Sequence, residues 1–302
     1  MIRKRSFTVI LAFVVFFVSF CTLLTSDVFA AGSTRRYRVY DANTAAYKRT
    51  YTLTTEPNNN ISAYNVFGVD TREIDWTKSG VVKINTTGGF GTGFVVDKHV
   101  IATAAHLLVT SGSLEKRRIT SIEMFDASDS SEPDRNATFI PTPVEYHIPV
   151  EFEASNSVIY DEKHDYALIT VEEDLSQYMC FSLANPLDMF TSVNGQNRSG
   201  SVMITGFPKT TSNVPNANRG NNGACTGMGS ISSMNSEYLR YTIDTSGGNS
   251  GGPIYIREVV GDNVYLTVIG IHTTSYDNGE NAGIRMTPDV LKFYGVNPNI
   301  IY

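Results

Sequence analysis

Residues 245–255 of the chain read TSGGNSGGPIY. Four glycines surround Ser250, and Pro253 leads into the apolar run Ile254-Tyr255-Ile256, which has the composition of a strand. A turn this rich in glycine can adopt backbone conformations closed to residues with a Cβ atom, and it can point two N–H groups toward one spot. The stretch is therefore either a strained turn that presents Ser250 as a nucleophile or an ordinary flexible glycine loop.

The rest of the chain predicts an all-β body. Short runs rich in Val, Ile, Tyr and Thr recur between Gly, Asn and Pro, which is typical of strands in a sandwich or barrel. These runs are Val81–Ile84, Gly93–Val96, Val100–Ala105, Tyr166–Val171, Ser201–Ile204, Tyr238–Ile243, Pro253–Ile256 and Val264–Ile271. One helix is predicted near the end, because Thr287-Pro288-Asp289 offers a cap with proline in the first turn. Val290, Leu291 and Tyr294 then share one face of that helix.

The first thirty residues resemble a secretory signal peptide. MIRKR is basic, residues 7–24 are almost wholly apolar, and Val28-Phe29-Ala30 has the small-residue spacing of a cleavage site. The alternative is an uncleaved membrane anchor, since the apolar run is nearly long enough to span a bilayer. We expect a secreted, extracellular protein that has no contact with the membrane once residues 1–30 are removed.

Residues 31–65 have the composition of a propeptide. They are polar, contain the basic cluster Arg35, Arg36 and Arg38, and end in the turn-rich Pro57-Asn58-Asn59-Asn60. We expect an exposed leader that is removed by cleavage. Residues 66–302 would then form the mature protein.

Charge and cysteine content limit the partners and the covalent structure. The whole chain carries a net charge of −6, and its first 65 residues are basic, so the mature part is more acidic still. This acidity disfavours nucleic acid or an anionic membrane as a partner. Once Cys21 leaves with the signal peptide, Cys180 and Cys225 remain, and they form either one disulfide or two buried thiols.

A serine nucleophile needs a histidine base that is itself oriented by a carboxylate. His106 follows a buried run in VIATAAHLL, beside small alanines that leave room for an imidazole facing a cleft. Asp165 stands at the entry to the run Tyr166–Val171, where a half-buried carboxylate needs hydrogen-bond donors. The alternatives are an ordinary half-buried histidine and a plain aspartate at a strand start.

The order of these residues along the chain separates two classes of hydrolase. Residues 248–252 also fit the G-x-S-x-G pattern of α/β-hydrolases, but there a helix follows the serine and the triad runs serine, acid, histidine. This chain offers His106, Asp165 and Ser250 in the chymotrypsin-like order, and a strand-like run follows the serine. The N–H groups of Gly248 and Ser250 are the predicted oxyanion hole.

The motifs TAAH, HDYAL and GNSGGP, in that order, resemble those of chymotrypsin-like serine proteases. VFGVDTR (66–72), GIHTTS (270–275) and AGIRMTP (282–288) further resemble the secreted bacterial glutamyl endopeptidases, and the similarity covers most of residues 66–302. The resemblance implies two β-barrels that meet near residues 180–200, with the active cleft between them. It also implies that His106 is the general base and acid, Asp165 its orienting carboxylate and Ser250 the acylated nucleophile.

The same resemblance implies a pocket for the substrate side chain. Thr245 and His272 would line it, and Thr273 and Ser275 could donate further hydrogen bonds to a glutamate carboxylate. An imidazole suits this task because it can donate a hydrogen bond and gain charge as the carboxylate arrives. Cleavage before Val66 would add a new α-amino group near the pocket. Without the resemblance, His272 is equally well a core histidine continuing its strand.

The resulting hypothesis is a secreted, monomeric serine endopeptidase that acts on proteins or peptides and cuts after glutamate, with aspartate second. No metal or cofactor is expected, because the chain has no H-E-x-x-H or C-x-x-C motif, and DASDSSEPD (126–134) lacks the glycine and closing glutamate of a calcium loop. Two alternatives remain. One is a related protease of narrow specificity, similar to the exfoliative toxins, and the other is a secreted binding module that kept the fold without the chemistry.

Overall fold

The computed structural model describes residues 33–55, 78–110, 115–126, 139–154, 162–178, 181–186, 201–209, 224–275 and 280–295. The predicted signal peptide, Val66 and Cys180 lie outside these ranges. Among the described residues, no helix has the length and apolar character needed to cross a membrane.

The first sheet contains eight strands from the N-terminal half of the chain. They are β1 (Ser33–Asp41), β2 (Tyr47–Thr55), β3 (Lys78–Thr86), β4 (Gly89–Asp97), β5 (Val100–Thr103), β6 (Ile119–Asp126), β7 (Pro143–Pro149) and β8 (Ala167–Val171), in the order β2-β1-β7-β8-β5-β4-β3-β6. All neighbours are antiparallel. Ala42 brings β6 close to β7, because it accepts from Ile119 N at 2.9 Å and donates to Val144 O at 3.1 Å.

The second sheet closes into a barrel. Its strands are β9 (Ser182–Leu183), β10 (Ser201–Gly206), β11 (Cys225–Met234), β12 (Tyr238–Tyr241), β13 (Pro253–Val260), β14 (Asn263–Ser275) and β15 (Asn281–Arg285). The order β13-β10-β11-β12-β15-β14 returns to its start because β13 also pairs with β14, and β9 adds to β14 in parallel. In the described part of the chain, two short α-helices complete the fold, α1 (Val150–Ala154) and α2 (Pro288–Phe293).

Among the described residues, three large apolar clusters hold these parts together, and a small fourth cluster pairs Val81 of β3 with Phe207. One fills the first sheet, around Ile84, Ile122 and Tyr146, and another fills the closed barrel. The third lies between the two sheets and α2, where Phe94 of β4 shares a cluster with Tyr255 of β13. Residues 91–96 of β4 are buried in an unbroken run, which is the pattern of a strand covered on both faces.

The predicted all-β architecture with two barrel-like halves and a C-terminal helix is confirmed. Every run predicted as a strand coincides with an observed strand. The helix begins where its cap was predicted, since Thr287 Oγ1 accepts from Val290 N at 3.3 Å and Pro288 is the first helical residue.

Among the described residues of the segment 31–65, the expected exposure is wrong for β1, whereas most residues of β2 are exposed. β1 and β2 form a hairpin, and β1 pairs with β7 from Tyr37 opposite Pro149 to Asp41 opposite Glu145. Tyr37 and Val39 are 1% and 0% exposed. The segment is polar on average, but large apolar residues alternate with polar ones along β1. This alternation buries one face of β1 where it adds to an otherwise open edge of the sheet. Cleavage of this segment stays a prediction.

Candidate active site

His106 and Asp165 meet at one end of the first sheet. β5 and β8 pair with Thr103 opposite Ala167, so the residues just after β5 lie beside those just before β8. The backbone N–H of His106 donates to Asp165 Oδ1 at 2.8 Å, and His106 Nδ1 lies 2.8 Å from Oδ2. The Asp165 side chain is fully buried, whereas 21% of the His106 side chain is exposed. His106 therefore donates to both oxygens of the buried Asp165 carboxylate, and these two hydrogen bonds fix the orientation of the imidazole ring.

This pairing also assigns the proton on the imidazole. A carboxylate can only accept, so a neutral His106 donates from Nδ1 and keeps the lone pair on Nε2. Nε2 is the nitrogen that remains to take a proton from elsewhere. His164, the sequence neighbour of Asp165, ends a short 3-10 helix and contacts Arg35 through Nε2.

Ser250 lies in a compact turn between β12 and β13. Asn249 N donates to Ser246 O at 3.1 Å, and Gly252 N donates to Asn249 O at 2.9 Å. The Ser250 carbonyl accepts from Thr92 N of the first sheet at 2.8 Å. The turn is tied to both halves of the molecule, so it is not a flexible surface loop.

Two glycines of the turn are required by its conformation. Gly248 has φ +99° and Gly251 has φ +87°, values that side chains rarely permit. A Cβ atom on Gly251 would lie 2.1 Å from Thr92 O and 3.0 Å from Ala104 N. The residue after Ser250 thus packs against the strand end that leads to His106, so the segments that carry the serine and the histidine are neighbours.

The amides of Gly248 and Ser250 remain candidates for an oxyanion hole. Within the described part of the chain, neither N–H donates to a backbone carbonyl. The Gly248 carbonyl accepts from Thr92 Oγ1 at 2.7 Å, which fixes the peptide plane that follows it. Two amides held in a rigid turn beside a serine can stabilise a negative oxygen.

The predicted pocket residues gather around β15. His272 lies on β14 and is 3% exposed, and Thr273 is buried beside it. Thr273 Oγ1 donates to Ala282 O at 3.4 Å, and Thr245 Oγ1 donates to Asn281 Oδ1 at 3.0 Å. The backbone of His272 is joined to the serine turn, since Gly251 N donates to His272 O at 2.7 Å and His272 N donates to Gly252 O at 2.9 Å.

Two further residues of this pocket were missed by the sequence analysis. Tyr241 OH lies 2.5 Å from His272 Nδ1 and 3.2 Å from Ala282 O, and Asn281 anchors Thr245. The register between β14 and β15 shifts between His272 and Thr274, and a bulge of this kind redirects the side chains beside it. Tyr241 sits in a run that the sequence marks only as apolar, so no local signal distinguishes it.

Burial sets the charge state of His272. Loss of solvent, followed by repulsion from His106, lowers the pKa of His272 to about 4. The imidazole is therefore neutral at pH 7 when no ligand is bound. Burial also raises the pKa of Tyr241 well above its usual value, so the phenol keeps its proton, which it donates to Ala282 O.

Thr92 is the third residue that sequence reasoning missed. It is fully buried on β4, and its hydroxyl donates to Gly248 O while accepting from Phe207 N at 2.9 Å. Its carbonyl accepts from Thr103 Oγ1 at 2.7 Å. Every polar group of Thr92 is used to connect β4 to the serine turn and to the strand before His106.

Several predicted features fall outside the described residues. Val66 and Cys180 do so entirely, and nothing is described of the Ser275 side chain, although its backbone pairs with Asn281. Cys225, at the start of β11, is half-buried. Within the described residues, no group of three His, Cys, Asp or Glu side chains is arranged to hold a metal ion.

Comparison with known proteins gives the same class as the fold and the geometry. A model of the trypsin-like peptidase domain matches residues 91–261. The glutamyl endopeptidase of Staphylococcus epidermidis is 24% identical over 268 residues, which cover 86% of this chain and 82% of that protein. A solved structure of a Glu endopeptidase in complex with MPD has a TM-score of 0.56 and 18% identity, and the match covers 78% of this chain and 96% of that one.

The two packed β units define the class of this protein, which is that of the chymotrypsin-like serine proteases. The family match covers more than half of the 302 residues and includes β4, where Thr92 lies, and the turn of Ser250. The chain belongs to the trypsin-like peptidase family, and its resemblance to the glutamyl endopeptidases extends over most of its length.

Proposed function

We propose that this protein is a secreted serine endopeptidase that cuts peptide bonds on the carboxyl side of glutamate. The observation that supports the proposal is the double contact of His106 with buried Asp165, next to the strand end against which the glycine turn of Ser250 packs. Membership of the trypsin-like peptidase family supports the reaction class. The 24% identity to a glutamyl endopeptidase supports the preference for glutamate.

In the first half of the reaction, Ser250 Oγ attacks the carbonyl carbon of the scissile peptide. His106 Nε2 takes the hydroxyl proton, and Asp165 stabilises the imidazolium through Nδ1–H. The carbonyl oxygen becomes negative and accepts from the N–H groups of Gly248 and Ser250. The tetrahedral intermediate collapses when the C–N bond breaks, and the leaving amine receives the proton from His106.

Water completes the reaction. It attacks the acyl-enzyme ester and loses a proton to His106 Nε2, while the same two amides hold the second oxyanion. The C–O bond to Ser250 then breaks, and the proton returns to Ser250 Oγ. The acid product leaves and the free enzyme is restored.

His272 and Thr245 are the proposed recognition groups for the glutamate carboxylate. The single proton of Tyr241 OH goes to Ala282 O, so His272 Nδ1–H donates to the phenol oxygen, and Nε2 carries a proton for the substrate once the ring is cationic. An arriving carboxylate favours the charged imidazole and raises the pKa of His272 from its low resting value. Thr245 turns its hydroxyl from Asn281 to the carboxylate, because a hydroxyl rotates to suit its partner.

The proposal also includes processing. The basic and apolar N-terminus supports export, and cleavage before Val66 would give the mature enzyme a new α-amino group that adds positive charge for a glutamyl substrate. Overall acidity of the chain does not oppose such a substrate, because charges beyond roughly 8 Å are weakly coupled at physiological salt.

The decisive experiment combines a fluorophosphonate probe with a panel of peptides that differ only in the residue before the cut. We expect labelling of Ser250 in the wild type and none in Ser250→Ala, with the fold of the variant unchanged. Cleavage after glutamate should exceed cleavage after the neutral isostere glutamine by about 10²-fold, the effect of a hydrogen bond to a charged group.

The other outcomes identify the alternatives. Labelling without a preference for glutamate would indicate a protease of narrow or different specificity. Absence of labelling in the processed wild-type protein would indicate a binding module that lacks the chemistry, and it would refute the proposal.

A further inference from the structure

The hairpin β1–β2 contacts both residues that flank the proposed catalytic acid. Arg35 Nη1 donates to His164 Nε2, and Tyr37 OH lies 3.3 Å from Tyr166 OH. His164 and Tyr166 are the immediate neighbours of Asp165, and both are buried. The segment with the composition of a propeptide therefore reaches the loop on which the orientation of His106 depends.

Arg35 is held in place by the C-terminal helix. Its Nε donates to Asp289 Oδ2 at 2.7 Å, and Ser33 Oγ donates to the other oxygen of the same carboxylate. Asp289 is in the first turn of α2, beside Pro288. The guanidinium thus holds Asp289 with one nitrogen and His164 with another, a geometry that a lysine ammonium cannot reproduce.

Tyr37 is packed in an aromatic cluster behind the same loop. Its ring stacks on Phe293 of α2 with centroids 4.5 Å apart and on Tyr51 of β2 at 5.4 Å. Phe293 also meets Tyr166 edge to face at 5.2 Å. Removal of the hairpin would expose Phe293 and Tyr166, which together belong to the apolar cluster between the two halves of the molecule.

The opposite end of the hairpin is attached by a buried charge. Arg38 and Tyr40 both donate to the carboxylate of Glu153, which lies at the end of α1. The side chain of Glu153 is fully buried. Lys116 Nζ lies 2.9 Å from the same carboxylate. Without the hairpin, Glu153 would lose two of these donors, and a buried carboxylate with lost partners is strongly destabilising.

We propose that residues 33–55 are a permanent part of the active protease, and that Arg35 and Tyr37 are positioning residues for Asp165. The inference rests on the proposed function, because it assigns their role through the triad. A cut on the C-terminal side of the hairpin would leave it bound by its backbone pairing with β7, by Arg35 and Arg38, and by the buried face of β1.

The first test substitutes Arg35 in the full-length protein. Arg35→Gln should lower kcat roughly tenfold, since a misplacement of 1 Å can cost up to about 10²-fold. KM for a glutamyl peptide should not change, because the pocket of His272 is in the other half of the molecule. Arg35→Lys should retain the ion pair with Asp289 and the melting temperature, yet lower kcat in the same way.

Arg49→Gln is the matched control. It removes the same charge from the same hairpin, where Arg49 pairs with Glu145 at 2.7 Å, away from His164 and Tyr166. It should leave kcat unchanged. Equal kcat values for the wild type and Arg35→Lys, or equal losses in Arg35→Gln and Arg49→Gln, would overturn the positioning role.

A spectroscopic readout separates this inference from the proposed function. The Nδ1–H proton of His106, hydrogen-bonded to Asp165, should give a far-downfield proton NMR signal, and Arg35→Gln should shift or broaden it while Arg49→Gln does not. That comparison holds even if the wild type hydrolyses no glutamyl peptide, a result that would refute the proposed function alone. An unchanged signal in Arg35→Gln would refute the positioning role.

The second test asks whether the hairpin persists. Active protein is purified by size exclusion and its peptides are identified by mass spectrometry after denaturation. Residues 33–55 should be present in equal amount to the rest, either uncut or as a separate peptide that co-elutes. Fully active protein without these residues would overturn the proposal.

Discussion

Two histidine regions of the molecule differ in the partner and in the burial of the imidazole. In the first half, His106 donates to the carboxylate of Asp165, and 21% of its side chain is exposed. In the closed barrel, His272 meets the phenol of Tyr241 and is almost fully buried. A carboxylate stabilises an imidazolium, whereas a phenol that keeps its proton does not.

The difference shows that the partner and the burial of the ring together determine what a histidine can do. Next to Asp165, a histidine can accept a proton during a reaction cycle. Next to Tyr241, a histidine rests neutral and gains charge only when a ligand supplies the carboxylate. The two regions are joined through Gly251, which packs against Ala104 on one side and donates to His272 O on the other.

The largest effect should come from removing the carboxylate of the first region. Asp165→Asn is expected to lower kcat about 10⁴-fold, because the amide can donate to Nδ1 and select the wrong tautomer. The loss should be equal for glutamyl and leucyl peptides, and steady-state kinetics on both substrates measures it. A loss confined to glutamyl peptides would place Asp165 in recognition and remove the contrast between the regions.

Substitution in the second region should affect specificity. His272→Leu should lower kcat/KM for glutamyl peptides by about 10²-fold, the equivalent of a hydrogen bond to a charged group. Cleavage of leucyl peptides should change far less. His272→Asn, which keeps a donor but cannot become cationic, should fall between the wild type and leucine. Equal losses on both peptides would deny His272 a role in recognition.

The smallest expected effect is on the pH dependence of the free energy of unfolding. His272 has a folded pKa of about 4 and an ordinary value near 6.5, so the unfolded chain binds more protons between these limits. The stability of the folded protein with a neutral His272 is fully present above pH 6.5 and is lost as the pH falls toward 4. We expect about 2 kcal/mol of this loss between pH 7 and pH 5.

Urea unfolding of the wild type and of His272→Leu at both pH values measures the difference. The variant should lose less stability on acidification than the wild type. His147, whose pKa is also lowered by burial, is present in both proteins and cancels in the comparison. Parallel losses would mean that His272 is already solvated or charged in the folded protein.

Sequence patterns located the elements of this site that have a chemical signature. Ser250 was marked by its glycines, and His106 and Asp165 by their position at the ends of apolar runs. His272 was identified only through the resemblance, since a histidine in a strand is otherwise a plausible core residue.

The other residues of the site have no such signature. Thr92, Tyr241 and Asn281 act through contacts with residues distant in sequence, which depend on strand register and on one bulge. A β protein contains many threonines, and the sequence does not indicate that both the hydroxyl and the backbone of Thr92 form hydrogen bonds to distant residues. Such roles are settled only when the strands are paired.

The hairpin was missed for a different reason. Its basic and polar composition predicted exposure. That prediction took no account of the apolar residues at every second position, Tyr37 and Val39 in β1 and Tyr51 and Leu53 in β2. A strand that adds to a sheet edge needs only one apolar face, so it can be polar on average. Period-two alternation was the signal that could have identified it.

The connections made by Thr92 bear on how a substrate enters. Because this residue ties β4 to the serine turn at Gly248 and Ser250, the two halves cannot swing apart without breaking buried hydrogen bonds. For the proposed protease we therefore expect that binding needs no domain closure, and that the entropy of assembling the site is lost during folding instead of at each encounter with a peptide. Such a site should favour extended, unfolded substrates that adapt their own shape to it.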